Sequence, residues 1–277
     1  MKKSICILMA ISMLGFGTFF ASLRDNFRAC DDLKHQPNMP APTEPYERPE
    51  GIHEAAGGQA ADGSRKLVAL TFDDGPSGAV TNHILDSLQR VGGRATFFCI
   101  GERAQHYEET LRRMVAEGHE IASHSWSHER LTRLSSPALE ADLARAAAAL
   151  EEFSGVTPRY LRPPYGAVNE RMLNHTGMPV ILWSIDSEDW RFCEQLCKNR
   201  SDEQRQKDYR NVVNSVLDYV QDGDIILMHD LYAFTQDVAD AIINELHHKG
   251  WQLVTVSELF EARNIDPWPG AVYYNAR

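Results

Sequence analysis

The chain of 277 residues lacks a basic patch. Its 28 lysines and arginines stand against 39 aspartates and glutamates, a formal net charge of −11. That balance excludes a nucleic-acid binder and leaves no cationic surface for an anionic polymer. There is no internal repeat, which sets aside a stacked-repeat architecture, and no separate carbohydrate-binding module is visible. Cysteine is scarce, at five residues. Cys6 lies in an apolar start and Cys30 in a proline-rich stretch, while Cys99 sits in the core-like run Ala95–Ile100. Cys193 and Cys197 are four apart, and three readings stay open for them: a small disulfide loop, two free thiols or a second metal site. The hydrophobic fraction, 43%, is enough for one sizeable core.

Met1-Lys2-Lys3 precedes an apolar run from Ile5 to about Leu23, the pattern of an export segment. No clean small-x-small cleavage site follows it, so residues 1–23 read as a signal peptide or a retained N-terminal membrane anchor. Either way the bulk of the protein is expected outside the cytoplasm. Residues 24–64 carry Pro37, Pro40, Pro42, Pro45 and Pro49, then Gly57-Gly58 and Gly63. This composition suits an extended tether. Residues 65–277 are expected to form the folded domain.

The apolar stretch Leu67–Leu70 reads as a buried strand. It leads into Thr71-Phe72-Asp73-Asp74-Gly75-Pro76. Two adjacent carboxylates at the rim of a sheet repel one another, and folding alone has no use for that. A metal ion, or a base held beside one, accounts for it, although Asp and Gly are also common in plain turns. Further on, His124-Ser125-Trp126-Ser127-His128 puts two imidazoles four residues apart at another strand end. Two histidines and a carboxylate form a frequent zinc shell with a position left open for water; a pair of surface histidines is the plainer alternative.

Three further clusters repeat the arrangement: Arg162-Pro163-Pro164-Tyr165-Gly166, Asp186-Ser187-Glu188-Asp189-Trp190, and Leu227-Met228-His229. Singly they read equally as a rigid proline loop, a helix cap and a structural histidine. Together they place polar groups at five successive strand ends. Strands are expected near 67–72, 95–100, 119–123, 159–162, 179–185, 224–229 and 252–256. Helices are expected near 78–90, 102–117, 136–153, 168–176, 210–220 and 236–249. The alternation implies an α/β fold with parallel pairing. Function at strand C-termini suits a β/α barrel; the pattern alone also allows an open doubly wound sheet. The polar segment from Phe192 to about Tyr209 is expected to form a flap beside the groove.

In order and composition the five clusters resemble the motifs of the polysaccharide deacetylases with the NodB homology domain, carbohydrate esterase family 4. The resemblance covers roughly residues 65 to 260. It implies a deformed, incomplete (β/α) barrel of about seven parallel strands and the hydrolysis of an N-acetyl group on N-acetylglucosamine, with cell-wall peptidoglycan the expected substrate. It also implies the roles. Asp74, His124 and His128 would bind a divalent metal, zinc first, with cobalt or another ion possible. Asp73 would be the general base, paired with Arg162. The backbone N–H of Tyr165 would stabilise the oxyanion. His229 would be the general acid, oriented by Asp189. Trp190 and Leu227 would wall the acetyl pocket. Trp126 is expected to pack near the metal loop; Asp186, Asp230 and Tyr232 have no firm role. Chitin oligomers, an O-acetyl group on xylan, and a glycan-binding pseudoenzyme are the competing readings. A monomer is expected.

Overall fold

The computed structural model describes residue 61, residues 65–192 and residues 200–277. The export segment, nearly all of the tether and the Cys193–Cys197 pair lie outside the described residues.

Strand β1 (Leu67–Asp73) is buried along its whole length. It carries helices on one face and the barrel interior on the other, as a central parallel strand must. Val68, Leu70 and Phe72 pack outward with the helices, whereas Leu67 and Ala69 share an inner cluster with Phe98, Ile225 and Phe260. Helix α1 (Ala79–Val91) follows, then β2 (Thr96–Cys99), which pairs with β1. The helix expected over 102–117 is two, α2 (Gly101–Ala104) and α3 (Glu108–Ala116), separated by a tight 3-10 turn at Gln105–Tyr107. Strand β3 (Glu120–Ser123) and the long helix α4 (Ser136–Ser154) agree with expectation.

The next stretch departs from it. The strand expected at 159–162 is reduced to one bridging residue, Leu161, which joins Ser123 on one side to Val180 on the other. Pro158, Pro163 and Pro164 flank it and supply no backbone N–H to a ladder. Helix α5 (Glu170–His175) leads to a strand expected at 179–185 that is broken into β4 (Val180–Ile181) and β5 (Ile185–Asp186).

The flap expected from 192 to 209 is corrected in its second half. Helix α6 runs Asp202–Leu217, started by a reciprocal capping box between Ser201 and Gln204. Strand β6 (Asp224–His229), helix α7 (Ala233–His248) and strand β7 (Gln252–Val254) follow. A further helix, α8 (Val256–Ala262), begins where the sequence suggested a continuing strand, because Thr255 and Glu258 cap it reciprocally. Strand β8 (Val272–Tyr273) ends the order.

The main sheet runs β3-β2-β1-β6-β5, with β7 beside the first half of β1 and β4 paired with β8. All the ladders are parallel. With the Leu161 bridge the strands curve into an open barrel. Its far mouth is closed by α8, whose Leu259 and Phe260 are buried in the inner cluster.

Candidate active site

Sheet register brings the motifs together. Alternation along β1 puts Leu67, Ala69, Thr71 and Asp73 on the inner face. The same alternation along β6 puts Ile225, Leu227 and His229 inward. Asp73 and His229 are direct partners across the β1–β6 ladder, as are Thr71 and Leu227. An acid and a histidine that are 156 positions apart in the chain therefore stand side by side at one barrel mouth.

Asp74 follows the last residue of β1 in the left-handed conformation, at φ 74°. That turn swings its carboxylate to the histidine loop. The loop is no helix: Ser125 and His128 are also left-handed, at φ 70° and 61°. Ser125 Oγ accepts the N–H of His128 at 3.0 Å, and the N–H groups of Gly101 and Glu102 donate to the carbonyls of Ser125 and Trp126. So held, His124 Nε2 and His128 Nε2 lie 3.4 and 3.2 Å from Asp74 Oδ1. Ligand atoms of the three residues all fall within 4.8 Å of one another, and all three residues are buried. His124 Nδ1 meets the Arg162 carbonyl at 2.7 Å, so Nδ1 carries the proton and Nε2 keeps its lone pair for an ion. The donor set and spacing fit a divalent metal site formed by Asp74, His124 and His128.

Asp73 lies beside this trio, its Oδ2 3.9 Å from His124 Nε2, but its other oxygen is engaged. Arg162, fully buried inside the barrel, donates from Nη1 to Asp73 Oδ1 and to Thr71 Oγ1, each at 2.7 Å. Its Nε and Nη2 donate to the carbonyls of Ile181 and Leu182 at 3.0 and 2.9 Å. Burial pushes the Arg162 pKa down, and the charge of Asp73 works against that.

On the other side of the site Asp189 is fully buried. Its Oδ1 meets His229 Nδ1 at 2.8 Å. Its Oδ2 accepts from the His229 N–H and from Thr235 Oγ1, both at 2.8 Å. With Nδ1 so occupied, His229 turns Nε2 to the opening. Tyr165 is left-handed, at φ 64°. Its ring packs edge-on to His128 at 4.8 Å between centroids, and the Arg130 guanidinium lies 4.3 Å over it.

These groups line one compact cavity of about 70 Å³, with Leu227 and Trp190 as apolar walls. Every residue singled out for chemistry in the sequence is in this cavity or directly behind it. Trp126 is outside, its ring covered by the Arg145 guanidinium at 3.7 Å. Asp230 points to the outer face, behind Gly75. A Cβ on Gly75 would come within 2.1 Å of Asp230 Oδ2, so only glycine fits there. Tyr232 is buried and does not line the cavity.

One lining residue, Trp183, lay outside the motifs, and another, Asp186, stood in one without a firm role. Trp183 forms a wall against Gly166, where a Cβ would meet the indole at 2.8 Å, and Asp186 lines the opening. The available signal was Trp183 within the strand-like run 180–185 that leads to Asp186. A larger cavity, about 940 Å³, lies among α1, α6 and α7 beside His83, Tyr209, Phe234 and Asp237, and holds none of the motif residues.

Comparison with known proteins agrees with this geometry. A family model described as polysaccharide deacetylase matches residues 60–180. The peptidoglycan-N-acetylmuramic acid deacetylase PdaC of Bacillus subtilis is 42% identical over 205 residues, 74% of this chain and 41% of that protein. The solved structure of PdaC superposes with a TM-score of 0.66 at 43% identity, covering 74% of this chain and 94% of that one. The peptidoglycan-N-acetylglucosamine deacetylase PgdA of Listeria monocytogenes is 37% identical over 200 residues, 71% of this chain and 39% of that protein. A family 4 acetyl xylan esterase from Clostridium thermocellum, in complex with a cobalt ion, matches with a TM-score of 0.67 at 30% identity, over 76% of this chain and 98% of that one. The chain thus spans about two fifths of the length of PdaC and PgdA. Matching sequence, fold and motif order lead to one assignment: the chain belongs to the polysaccharide deacetylase family.

Proposed function

We propose that the protein hydrolyses the acetamide of N-acetylated sugars in peptidoglycan, N-acetylglucosamine units foremost, releasing acetate and a free amine. The observation that carries this reading is the pairing of Asp73 and His229 across one ladder, each held by its own buried partner, beside a two-histidine, one-carboxylate metal site. A divalent ion at Asp74, His124 and His128, zinc in this reading, would supply Lewis acidity to the attacking water and to the acetyl carbonyl.

Asp73, held and aimed by Arg162, takes a proton from the water as its oxygen bonds to the carbonyl carbon. The Tyr165 N–H donates to the oxygen that gains charge. His229 delivers a proton from Nε2 to the amide nitrogen as the C–N bond breaks. Asp189 accepts at His229 Nδ1 and fixes the orientation of the ring. Leu227 and Trp190 enclose the acetyl methyl.

The substrate is inferred from the names of PdaC and PgdA, which divide between muramic acid and glucosamine units. The similarity to an acetyl xylan esterase supports ester cleavage as a second reading, and chitin oligomers remain a competing substrate. An intact set of metal, base and acid residues favours an enzyme over a glycan-binding pseudoenzyme. Export or anchoring by residues 1–23 would bring the site to the wall. The test is acetate release by the full-length chain from purified peptidoglycan and from chitin oligomers. Release should stop on complete chelation and return with zinc. Undiminished release from metal-free protein would sink the proposal. Mass spectrometry of the digested glycan would show which sugar lost its acetyl group.

A further inference from the structure

Asp186 is a polar group at the mouth of the cavity to which the proposed chemistry gives no task. Its position is set by register. Strand β5 pairs with β6 so that Ile185 lies opposite Ile226 and Asp186 opposite Leu227. Ile185 and Ile226 belong to the outer, helix-facing cluster. Alternation therefore turns Asp186 inward beside Leu227, and its side chain lines the cavity with His229, Trp183 and Trp190.

One carboxylate oxygen is engaged: Oδ1 accepts the N–H of Glu188 at 2.8 Å, closing a local turn. Among the described residues no hydrogen bond reaches Oδ2. Asp186 is half-buried, and that burial pushes its carboxyl above its ordinary range. A hydroxyl donor from a bound molecule would relieve the cost of that burial.

Other groups have occupations. Asp74, His124 and His128 form the metal site; Arg162 holds Asp73; Asp189 holds His229. The remaining walls are Tyr165, Gly166, Trp183, Trp190 and Leu227, none of which is a carboxylate. A chain-linked N-acetylglucosamine unit with its acetamide directed at Asp73 and His229 carries a free hydroxyl on C3, next to the acetamide-bearing carbon, because C1 is spent on the glycosidic bond.

Resting on the deacetylase reading above, we infer that Asp186 is a substrate-binding residue whose open carboxylate oxygen accepts a hydrogen bond from a hydroxyl of the sugar bearing the scissile acetamide. The recognition is of a neutral polyol. It orients the ring so that the acetyl group enters between Leu227 and Trp190 with its nitrogen toward His229.

The experiment compares the full-length chain, zinc-loaded, with Asp186→Asn and Asp186→Ala. Asparagine keeps the shape and an acceptor for the Glu188 N–H, so it controls for loss of the local turn. Each protein is assayed on a chitin oligomer and on 4-nitrophenyl acetate, an ester with no sugar. The binding role predicts that both variants lose roughly 10- to 100-fold in kcat/KM on the oligomer, with a rise in KM, and a far smaller factor on the ester. Equal losses on both substrates would mean that Asp186 acts on His229 rather than on sugar, and would overturn the inference. Unchanged kinetics on the oligomer would overturn it as well. A parent enzyme that cleaves the ester but no glycan, with metal bound, would overturn the deacetylase reading itself and the hydroxyl assignment with it.

Discussion

The two mouths of the barrel bury polar side chains in opposite ways. At the mouth where strands begin, α8 lies across the opening and every buried polar group finds an ordinary partner. Thr96 Oγ1 donates to Glu120 at 2.8 Å, Ser257 donates to the same carboxylate through its N–H and hydroxyl, and the Ser257 hydroxyl reaches Tyr160 Oη at 3.1 Å. At the mouth where strands end, Asp74, Ser125, His128, Tyr165 and Glu188 all adopt the left-handed conformation, and among the described residues Asn264 is the only other non-glycine to do so. Such conformations cost on the order of 1–3 kcal/mol each. They cluster where the carboxylates of Asp73, Asp74, Asp186 and Asp189 meet three histidines and a buried arginine. One mouth closes the core; the other spends conformational energy on aiming side chains.

Arg162→Met is the strongest way to break this contrast. The guanidinium is fully buried and uses its donors on Asp73, Thr71 and two carbonyls. Its removal leaves the Asp73 carboxylate buried without its counter-charge. We expect a stability loss of about 3–5 kcal/mol in urea titrations and a fall of at least about a hundredfold in acetate release, because Asp73 loses its aim. Lysine should rescue poorly, since a point charge cannot reproduce the fork. A variant that unfolds with the parent's midpoint would show that the buried pair does not set the two mouths apart.

Asp230 gives a smaller, pH-dependent test behind the same mouth. It is fully buried, and burial pushes its pKa up to about 7, the bond from Thr81 and the charge of Arg103 offsetting only part of the rise. A raised folded-state value means that the folded chain holds this proton over a range where the unfolded chain has lost it. The stability contributed by Asp230 is therefore complete below about pH 4 and falls as the pH climbs through 7. Asp230→Asn removes the titration and keeps an acceptor for Thr81. Urea midpoints of the metal-free proteins should shift in favour of the variant between pH 4 and 7. A pH-independent difference would contradict the assignment.

The same contrast explains what was legible in the sequence. Strand-end motifs carry side-chain types that only chemistry requires, so Asp73, Asp74, His124, His128 and His229 stood out and the structure brings them together. Trp183 did not, and Asp186 stood in a motif without a role, because their inward orientation depends on how a broken strand pairs with β6, and periodicity over two-residue strands is unreadable. The left-handed turns were hidden for a related reason: none of the five falls on glycine, the residue that usually advertises one. At the closed mouth, the expected strand ran on to Val256, the first residue of α8, because Val254-Thr255-Val256 is β-branched. The cap at Thr255 overrode that preference.

That cap supplies the smallest test, and the one that separates the two mouths most cleanly. Thr255 Oγ1 accepts the N–H of Glu258 at 3.1 Å, and Glu258 Oε2 accepts the N–H of Thr255 at 2.9 Å. The same glutamate pairs with Arg94 at 2.6 Å, tying α8 to the segment that enters β2. Thr255→Ala leaves the first turn of α8 without its side-chain acceptor and should cost about 1 kcal/mol. The helix packs in the inner cluster with Leu67, Ala69, Phe98 and Ile225, none of which lines the active cavity. Acetate release per folded molecule should therefore match the parent, while the urea midpoint falls. If turnover fell in step with stability, α8 would be more than a plug, and the barrel would carry strain from one mouth to the other through Arg162 and the inner strand faces.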